Sequence, residues 1–299
     1  MSKVIVTVPA TSANLGPGFD TLGIALSFYN KFIFEKKEQF EFINVFEKYA
    51  NENNLIVRSA IETYNYIGCD VIPFSLEEEQ VIPISRGLGS SATCIVAGIM
   101  AANYFTGNKL TKNEILKIAT SIEGHPDNVA PAIFGGLVSS FKNFNDIEYT
   151  KYDVSNDLYF TVAIPSFTLS THKSRGALPK KLSYSDIVYS LSRAINIPKA
   201  LETGDIKKLY VLLSDKLHQP YRMKLISESY LFKDFSKRNK MPFCISGSGS
   251  TLLFISDYEI VMKLSKIRTK NNWDFKTLKP DSVGATLEVL DEKWLSNCT

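Results

Sequence analysis

The run Val4-Ile5-Val6-Thr7-Val8 reads as a β-strand, and strand patterns recur around Ile24–Glu35 and Phe40–Val45. Apolar residues fall at helical spacing from Leu55 to Ile67, which predicts a helix there. Val71–Leu76 and Val81–Ile84 read as a hairpin. Ala92–Tyr104 is an apolar segment long enough for about three helical turns. Thr111–Ile122 predicts a further helix, and Leu137–Phe141 a strand after the turn Gly135-Gly136. Asn, Asp and Lys accumulate over Lys142–Ser155, a weak boundary that divides the chain into residues 1–152 and 153–299. Beyond it, strands are expected at Tyr159–Ile164, Trp273–Thr277 and Ala285–Leu290. Helices are expected at Ser183–Glu202, Ile206–Leu213, Tyr221–Leu225, Ser227–Arg238 and Glu259–Thr269. The mixture is α+β, in two subdomains.

Composition narrows the class of partner. The chain has 299 residues, 44% hydrophobic and 22% charged, which suits a globular protein with a real core. Its net charge of +3 and the lack of a long basic tract give no sign of nucleic-acid binding. The longest apolar runs, such as Cys94–Ala102, are too short for a bilayer. Strand one starts at once with no signal-like region, so a cytoplasmic location is expected. Cys69, Cys94, Cys244 and Cys298 lie far apart with no zinc spacing and are expected to be free thiols. His125, His172 and His218 include no pair with the close spacing of a helical metal site.

Chemistry concentrates in a few polar, glycine-rich stretches. Pro83-Ile84-Ser85-Arg86-Gly87-Leu88-Gly89-Ser90-Ser91-Ala92-Thr93 leads from a short apolar run into the apolar segment. Two glycines admit a ligand close to the backbone, and the serines sit where a helix begins. A helix N-terminus leaves backbone N–H groups free beside a partial positive charge, a site for an anion such as phosphate. Ser90 or Ser91 also offers a hydroxyl to a Mg²⁺ ion bound there. The plain alternative is a strand-to-helix turn. A dinucleotide fingerprint is disfavoured, because Gly107-Asn108-Lys109 leads into another helix instead of a strand ending in an acid. The P-loop pattern and the protein-kinase signatures are absent.

Pro9–Gly23 is dense in Gly, Pro, Ser and Asn and reads as a loop, with Asn14 and Asp20 as its polar side chains of interest. They either wall an active site or bond locally in a turn. Glu123-Gly124-His125-Pro126-Asp127-Asn128-Val129-Ala130-Pro131 sets an acid, a His, an acid and an amide within six residues; the plain alternative is that Asp127 caps a helix that starts there. Ile164–Arg175 reads as a loop, and Cys244–Thr251 as a second glycine-rich turn between two strands.

Taken in order, Pro-Ala-Thr-Ser-Ala-Asn-Leu-Gly-Pro-Gly-Phe-Asp, Gly-Leu-Gly-Ser-Ser-Ala and Ser-Gly-Ser-Gly resemble the three motifs of the GHMP kinases. The closest branch is the homoserine kinases. That narrower likeness rests on the first motif, on Glu123 to Ala132 and on Ser170 to Arg175, and it extends over nearly the whole chain. It implies an N-terminal domain like the second domain of ribosomal protein S5, with one left-handed crossover, and a ferredoxin-like C-terminal domain. The implied reaction moves the ATP γ-phosphate to the side-chain hydroxyl of L-homoserine, the step before threonine synthase. A homodimer is also implied.

The resemblance also distributes roles. Pro83 to Thr93 would hold ATP, with Asn54 near the adenine and Ser91 with Glu123 on Mg²⁺. Arg86 is expected to be a neighbour of the loop and not a catalytic group. Arg175 and Arg222 would grip the substrate carboxylate and Asp20 its ammonium, with His125, Asp127 and Thr171 completing the pocket. Asn14 and Asn128 would hold the reacting hydroxyl as the catalytic pair. Other branches carry an aspartate at the position of Asn128; an amide accepts no proton in that way, which implies transfer without a side-chain base. Arg175, Arg222, Asp20 and Asn128 together favour an amino acid over a mevalonate-type acceptor. Ser91 and Glu123 with a full acceptor set disfavour a non-catalytic nucleotide sensor. After Gly247-Ser248-Gly249, Ser250 stands where homoserine kinases often carry Pro; it is expected to be tolerated.

Overall fold

A computed structural model describes residues 3–290. The N-terminal half builds a mixed sheet from β1 (Lys3–Ala13), β2 (Leu22–Lys36), β3 (Glu41–Ile43), β4 (Phe74–Glu79), β5 (Leu137–Asn143) and β6 (Asp146–Tyr152). Its helices are α1 (Leu55–Ile67), α2 (Ser90–Phe105), α3 (Lys112–Glu123) and α4 (Pro126–Phe134). The second half supplies β7 (Tyr159–Pro165), α5 (Thr171–Gly176), α6 (Tyr184–Ala194), α7 (Ile197–Glu202), α8 (Ile206–Leu212), α9 (Gln219–Arg222) and α10 (Ser229–Asn239). It ends with β8 (Phe243–Ile245), β9 (Leu252–Ser256), α11 (Val261–Leu264), β10 (Trp273–Leu278) and β11 (Thr286–Leu290).

The large sheet has seven strands, with β11 joining it beside β1, so the chain returns at its end to the sheet where it began. β3 and β4, joined through α1, pair in parallel, while the other pairs of that sheet are antiparallel. The small sheet runs β10-β7-β9-β8, all antiparallel. Its first and third strands lie at the centre, the ferredoxin-like order.

Helix ends follow local chemistry. Asn54 accepts from the Ile56 N–H at 2.8 Å and caps α1, and Gly68 ends that helix in the left-handed region. Thr111 and Glu114 form a reciprocal capping box on α3. In β1, Val4, Val6 and Val8 pack with Phe32, Phe34 and the α2 face in the first core cluster. A second cluster joins Leu15, Leu22, Ile24 and Leu137 to Phe160, Val162, Leu253 and Ile255 of the small sheet. This apolar seam holds the two sheets together and fixes the cleft between them.

Several local expectations are corrected. Pro9–Ala13 is not loop: β1 passes a register shift between Pro9 and Ala10 and continues to Ala13, buried throughout. Val71–Ile84 forms no hairpin but the single strand β4, with the N–H groups of Val81 and Ile82 donating to Asn30 Oδ1 at 2.9 Å. Lys142–Ser155 is mostly the β5–β6 pairing. The Ile164–Arg175 loop contains α5, capped by Ser170, whose Oγ accepts from the Lys173 N–H at 3.2 Å. Glu259–Thr269 shrinks to the single turn α11. Cys69, Cys94 and Cys244 are free thiols, and Cys298 lies outside the described residues.

Candidate active site

The three glycine motifs, far apart in sequence, meet backbone to backbone. Ser246 Oγ donates to Gly87 O at 2.6 Å and contacts Ser12 Oγ at 2.8 Å. The Gly247 N–H donates to Ala13 O at 3.1 Å, and the Thr251 N–H to Arg86 O at 3.0 Å. Gly87 permits this approach, because a Cβ built there would overlap Ser246 O, and its φ of +77° favours glycine. Beside this junction opens a cavity of about 320 Å³.

At one end stands the N-terminus of α2. No side chain caps it, and Gly89 enters the helix at φ +70°. A sixteen-residue helix thus presents free N–H groups and the positive end of its dipole to the cavity. Ser91 Oγ donates to Glu123 Oε1 at 2.9 Å. Burial pushes the Glu123 carboxyl above the usual carboxylate range, with the Ser91 hydroxyl and His125 opposing. A desolvated carboxylate beside a hydroxyl is a hard-oxygen donor set that suits a divalent cation.

At the other end lie the charged groups. Arg175 forms a two-pronged pair with Asp20, Nη2 to Oδ1 at 2.8 Å and Nη1 to Oδ2 at 3.0 Å. Arg222 is 1% exposed and, among the described residues, has no carboxylate bonded to it. Its Nη1 donates to Gly247 O at 3.2 Å and to His218 Nδ1 at 3.3 Å, while its Nε finds no acceptor among the described residues. Burial and the neighbouring Arg175 push this guanidinium down to about 10. His218 is fully buried, and burial keeps its pKa low. Its Nε2 lies 2.6 Å from Gly16 O, so that nitrogen carries the proton and Nδ1 is free to accept from Arg222. The Phe19 ring lies 5.6 Å from the Arg175 guanidinium carbon and 5.1 Å from that of Arg222.

Of the residues expected at the site, Asn14, Asp20, Asn54, Ile84, Ser85, Arg86, Gly87, Gly89, Ser90, Ser91, Glu123, His125, Asp127, Asn128, Thr171, Arg175 and Arg222 line this one cavity. Pro83, Leu88, Ala92 and Thr93 do not. Leu88 and Ala92 are core residues, Pro83 borders a separate shallow depression, and Thr93 Oγ1 bonds Asn30 Nδ2 and Ser90 O. Three others are held by structural bonds. Asn14 donates to Gly247 O at 2.8 Å and accepts from the Asp20 N–H at 2.9 Å, so its amide nitrogen joins the first motif to the third while its oxygen holds the turn of the first. Arg86 donates to the carbonyls of Pro165, Ile84 and Ser166, which ties the phosphate loop to the end of β7. Asn54 caps α1 and donates to Tyr49 O at 3.0 Å.

Gly247 and Ser248 of the third motif also line the cavity, and the fold adds residues that the motifs do not mark: Tyr49, Leu55, Glu78, Gln80 and Cys94. None belongs to a glycine-rich run, and only their packing around α1, β4 and α2 assembles them. Asp20, His125 and Asp127 hold ligand atoms within 4.8 Å of one another, as a metal site would. Those atoms are already matched, Asp20 to Arg175 and His125 Nδ1 to Asp127 Oδ1 at 2.5 Å.

Burial lowers the His125 pKa, but the Asp127 hydrogen bond and charge, aided by Asp20, leave it raised above 6.5. A histidine raised in the folded state contributes stability that is complete below its unfolded pKa and lost as pH climbs through the folded value. The gap in Tm between the wild type and His125→Gln is therefore expected to be widest below about pH 6.5 and to narrow on the alkaline side. Thermal melts across that range check it.

Residues 54–136 match the family model of the GHMP kinases N terminal domain. The homoserine kinase of Clostridium botulinum is 41% identical over 291 residues, covering 95% of this chain and 98% of that protein. That of Clostridium kluyveri is 41% identical over 297 residues, with 96% and 99% covered. The crystal structure of homoserine kinase from Cytophaga hutchinsonii superimposes with a TM-score of 0.84 at 24% identity, covering 96% of this chain and 97% of that one. The mevalonate kinase of Methanococcus jannaschii gives 0.71 at 16%, with 92% and 98% covered. The two structures share the fold.

Proposed function

The chain belongs to the homoserine kinases of the GHMP kinase superfamily, and from that premise we propose that its cavity transfers the γ-phosphoryl group of ATP to the side-chain hydroxyl of L-homoserine. The observation that carries the reading is one cavity with an uncapped helix N-terminus at one end and a buried guanidinium lacking a carboxylate partner at the other. The first suits a polyphosphate and the second a substrate carboxylate.

Phosphoryl transfer asks mainly for positioning and neutralisation. The backbone of Gly87 to Ser91 holds the phosphates. Ser91 with Glu123 would hold Mg²⁺, which would supply charge neutralisation at the phosphate oxygens. The adenine takes the end lined by Tyr49, Asn54, Leu55, Glu78 and Gln80. Arg222 receives the carboxylate. Arg175 and Asp20 hold each other, and a zwitterion exchanges partners with them without leaving either charge uncompensated. A ligand with one charge, such as mevalonate, would strand one of the pair, and a neutral sugar would engage neither charge, so both are disfavoured. Thr171, His125 and Asp127 close the pocket, and Asn128 holds the reacting hydroxyl. Asn14 acts through the loop that it braces.

The same reading treats residues 1–152 as the nucleotide-binding part and 153–299 as the second part. It includes a cytoplasmic homodimer. No helix among the described residues is long and apolar enough to cross a membrane.

ADP release, measured with Mg-ATP and L-homoserine, D-homoserine, L-serine, L-threonine, mevalonate or galactose, tests the assignment. Strong selectivity for L-homoserine is expected; turnover of mevalonate or a sugar would discard the acceptor pocket. Glu123→Gln is expected to raise the Mg²⁺ concentration needed for half-activity by roughly tenfold or more. An unchanged Mg²⁺ titration would remove Glu123 from the metal site.

A further inference from the structure

Thr11 lies in the buried continuation of β1, outside every group so far given a role. It is fully buried, and its N–H donates to Leu88 O of the phosphate loop at 3.1 Å. Its Oγ1 donates to Asn128 Oδ1 at 2.8 Å. Gly89 presses against the same hydroxyl: a Cβ built on Gly89 would overlap Thr11 Oγ1 and lie 3.3 Å from Asn128 Oδ1. One side chain therefore sits where β1, the phosphate loop and the first turn of α4 meet.

The direction of this bond matters. An amide offers one acceptor oxygen and one donor nitrogen. With its oxygen held by Thr11, Asn128 turns the nitrogen toward the cavity that it lines. We propose that Thr11 is a positioning residue, which locks the Asn128 amide so that an N–H, and not a carbonyl oxygen, meets the reacting hydroxyl. This rests on Asn128 holding that hydroxyl. An N–H donor takes a lone pair of the acceptor oxygen and leaves its own proton free to point at the phosphate. A carbonyl oxygen there would hold that proton and keep it from the phosphate.

The test is single-turnover and steady-state kinetics of Thr11→Val, Thr11→Ser, Asn128→Ala and Thr11→Val/Asn128→Ala. Thr11→Val is expected to lower the chemical step by about tenfold to 10²-fold, the effect of a misaligned reacting group. The KM values for ATP and L-homoserine stay near wild type. Thr11→Ser keeps the hydroxyl and is expected to restore the rate. In the Asn128→Ala background Thr11→Val adds less than about threefold, because coupled residues are not additive.

A purely structural role predicts a different pattern, with a raised KM for ATP, since Thr11 also braces the phosphate loop, and losses that multiply in the double variant. Either result overturns the proposal, as does a wild-type rate in Thr11→Val when Asn128→Ala is impaired. A wild-type rate in Asn128→Ala would instead remove the role of Asn128, on which this inference depends. Circular dichroism melts accompany each variant. Thr11→Ala, which removes the hydroxyl without adding a methyl beside Gly89, takes the place of Thr11→Val if the latter does not fold.

Discussion

Arg222→Met is expected to lower kcat/KM for L-homoserine by roughly 10² to 10³-fold or more, the usual cost of losing one partner of a buried, hydrogen-bonded charge pair. The KM for ATP should not move, because the phosphate end of the cavity is built by other elements. The free protein should melt within a few degrees of wild type. The native guanidinium is 1% exposed, and among the described residues its hydrogen bonds go to a carbonyl and a neutral imidazole. Such a cation carries its desolvation cost with no carboxylate bonded to it among the described residues, only the charges of Asp20, Asp127 and Asp215 nearby favouring it, so its loss is expected to cost little stability. What disappears is linkage: L-homoserine should raise the Tm of the wild type and leave that of Arg222→Met unchanged. Arg222→Lys should not restore binding, since a point charge lacks the fork geometry. A variant that still binds L-homoserine normally would show that the carboxylate lies elsewhere.

Asn128 carries the second large effect. Asn128→Ala is expected to slow the chemical step by about 10² to 10³-fold, through loss of a group aimed at the reacting atom. Asn128→Asp separates two mechanisms. If transfer needs no side-chain base, the carboxylate brings negative charge against the phosphate and the rate falls. If early deprotonation limits the reaction, the same change supplies a base and the rate rises by orders of magnitude in single turnover. The first outcome is expected, because the loose transition state of phosphoryl transfer makes little demand for early proton removal.

The glycine loop and the helix start beside it were legible because residue type and local order determine them, whereas Ser91 with Glu123 and the guanidinium of Arg222 were picked out only by the family resemblance. Two glycines before two serines and an apolar run let a ligand approach the backbone at a helix start, which suits an anion. Asn14, Arg86 and Asn54 were harder. Their side chains suit ligands, but the fold engages them in bonds to Gly247, Pro165, Ser166 and Tyr49, and those partners lie on other elements. Thr11 carried no signal of its own. Its stretch, Pro9-Ala10-Thr11-Ser12-Ala13, looked like loop because small and polar residues broke the alternation. They do so since this part of β1 is covered on both faces, and a strand without an exposed face loses its period of two.

The sequence alone determined the α+β class, most helices, the membership carried by three ordered motifs, and the residue types suited to polyphosphate and to a charged small acceptor. These rest on local sterics, on hydrogen bonding within a few residues and on side-chain chemistry. Only the tertiary structure decided that Ser246 reaches Gly87, that Arg222 is left without a carboxylate while Arg175 takes Asp20, and that Thr11 holds Asn128. Those choices depend on which groups are brought together and shut away from water, and partners such as Ser246 and Gly87, 159 residues apart, meet only when two sheets close on a shared apolar seam.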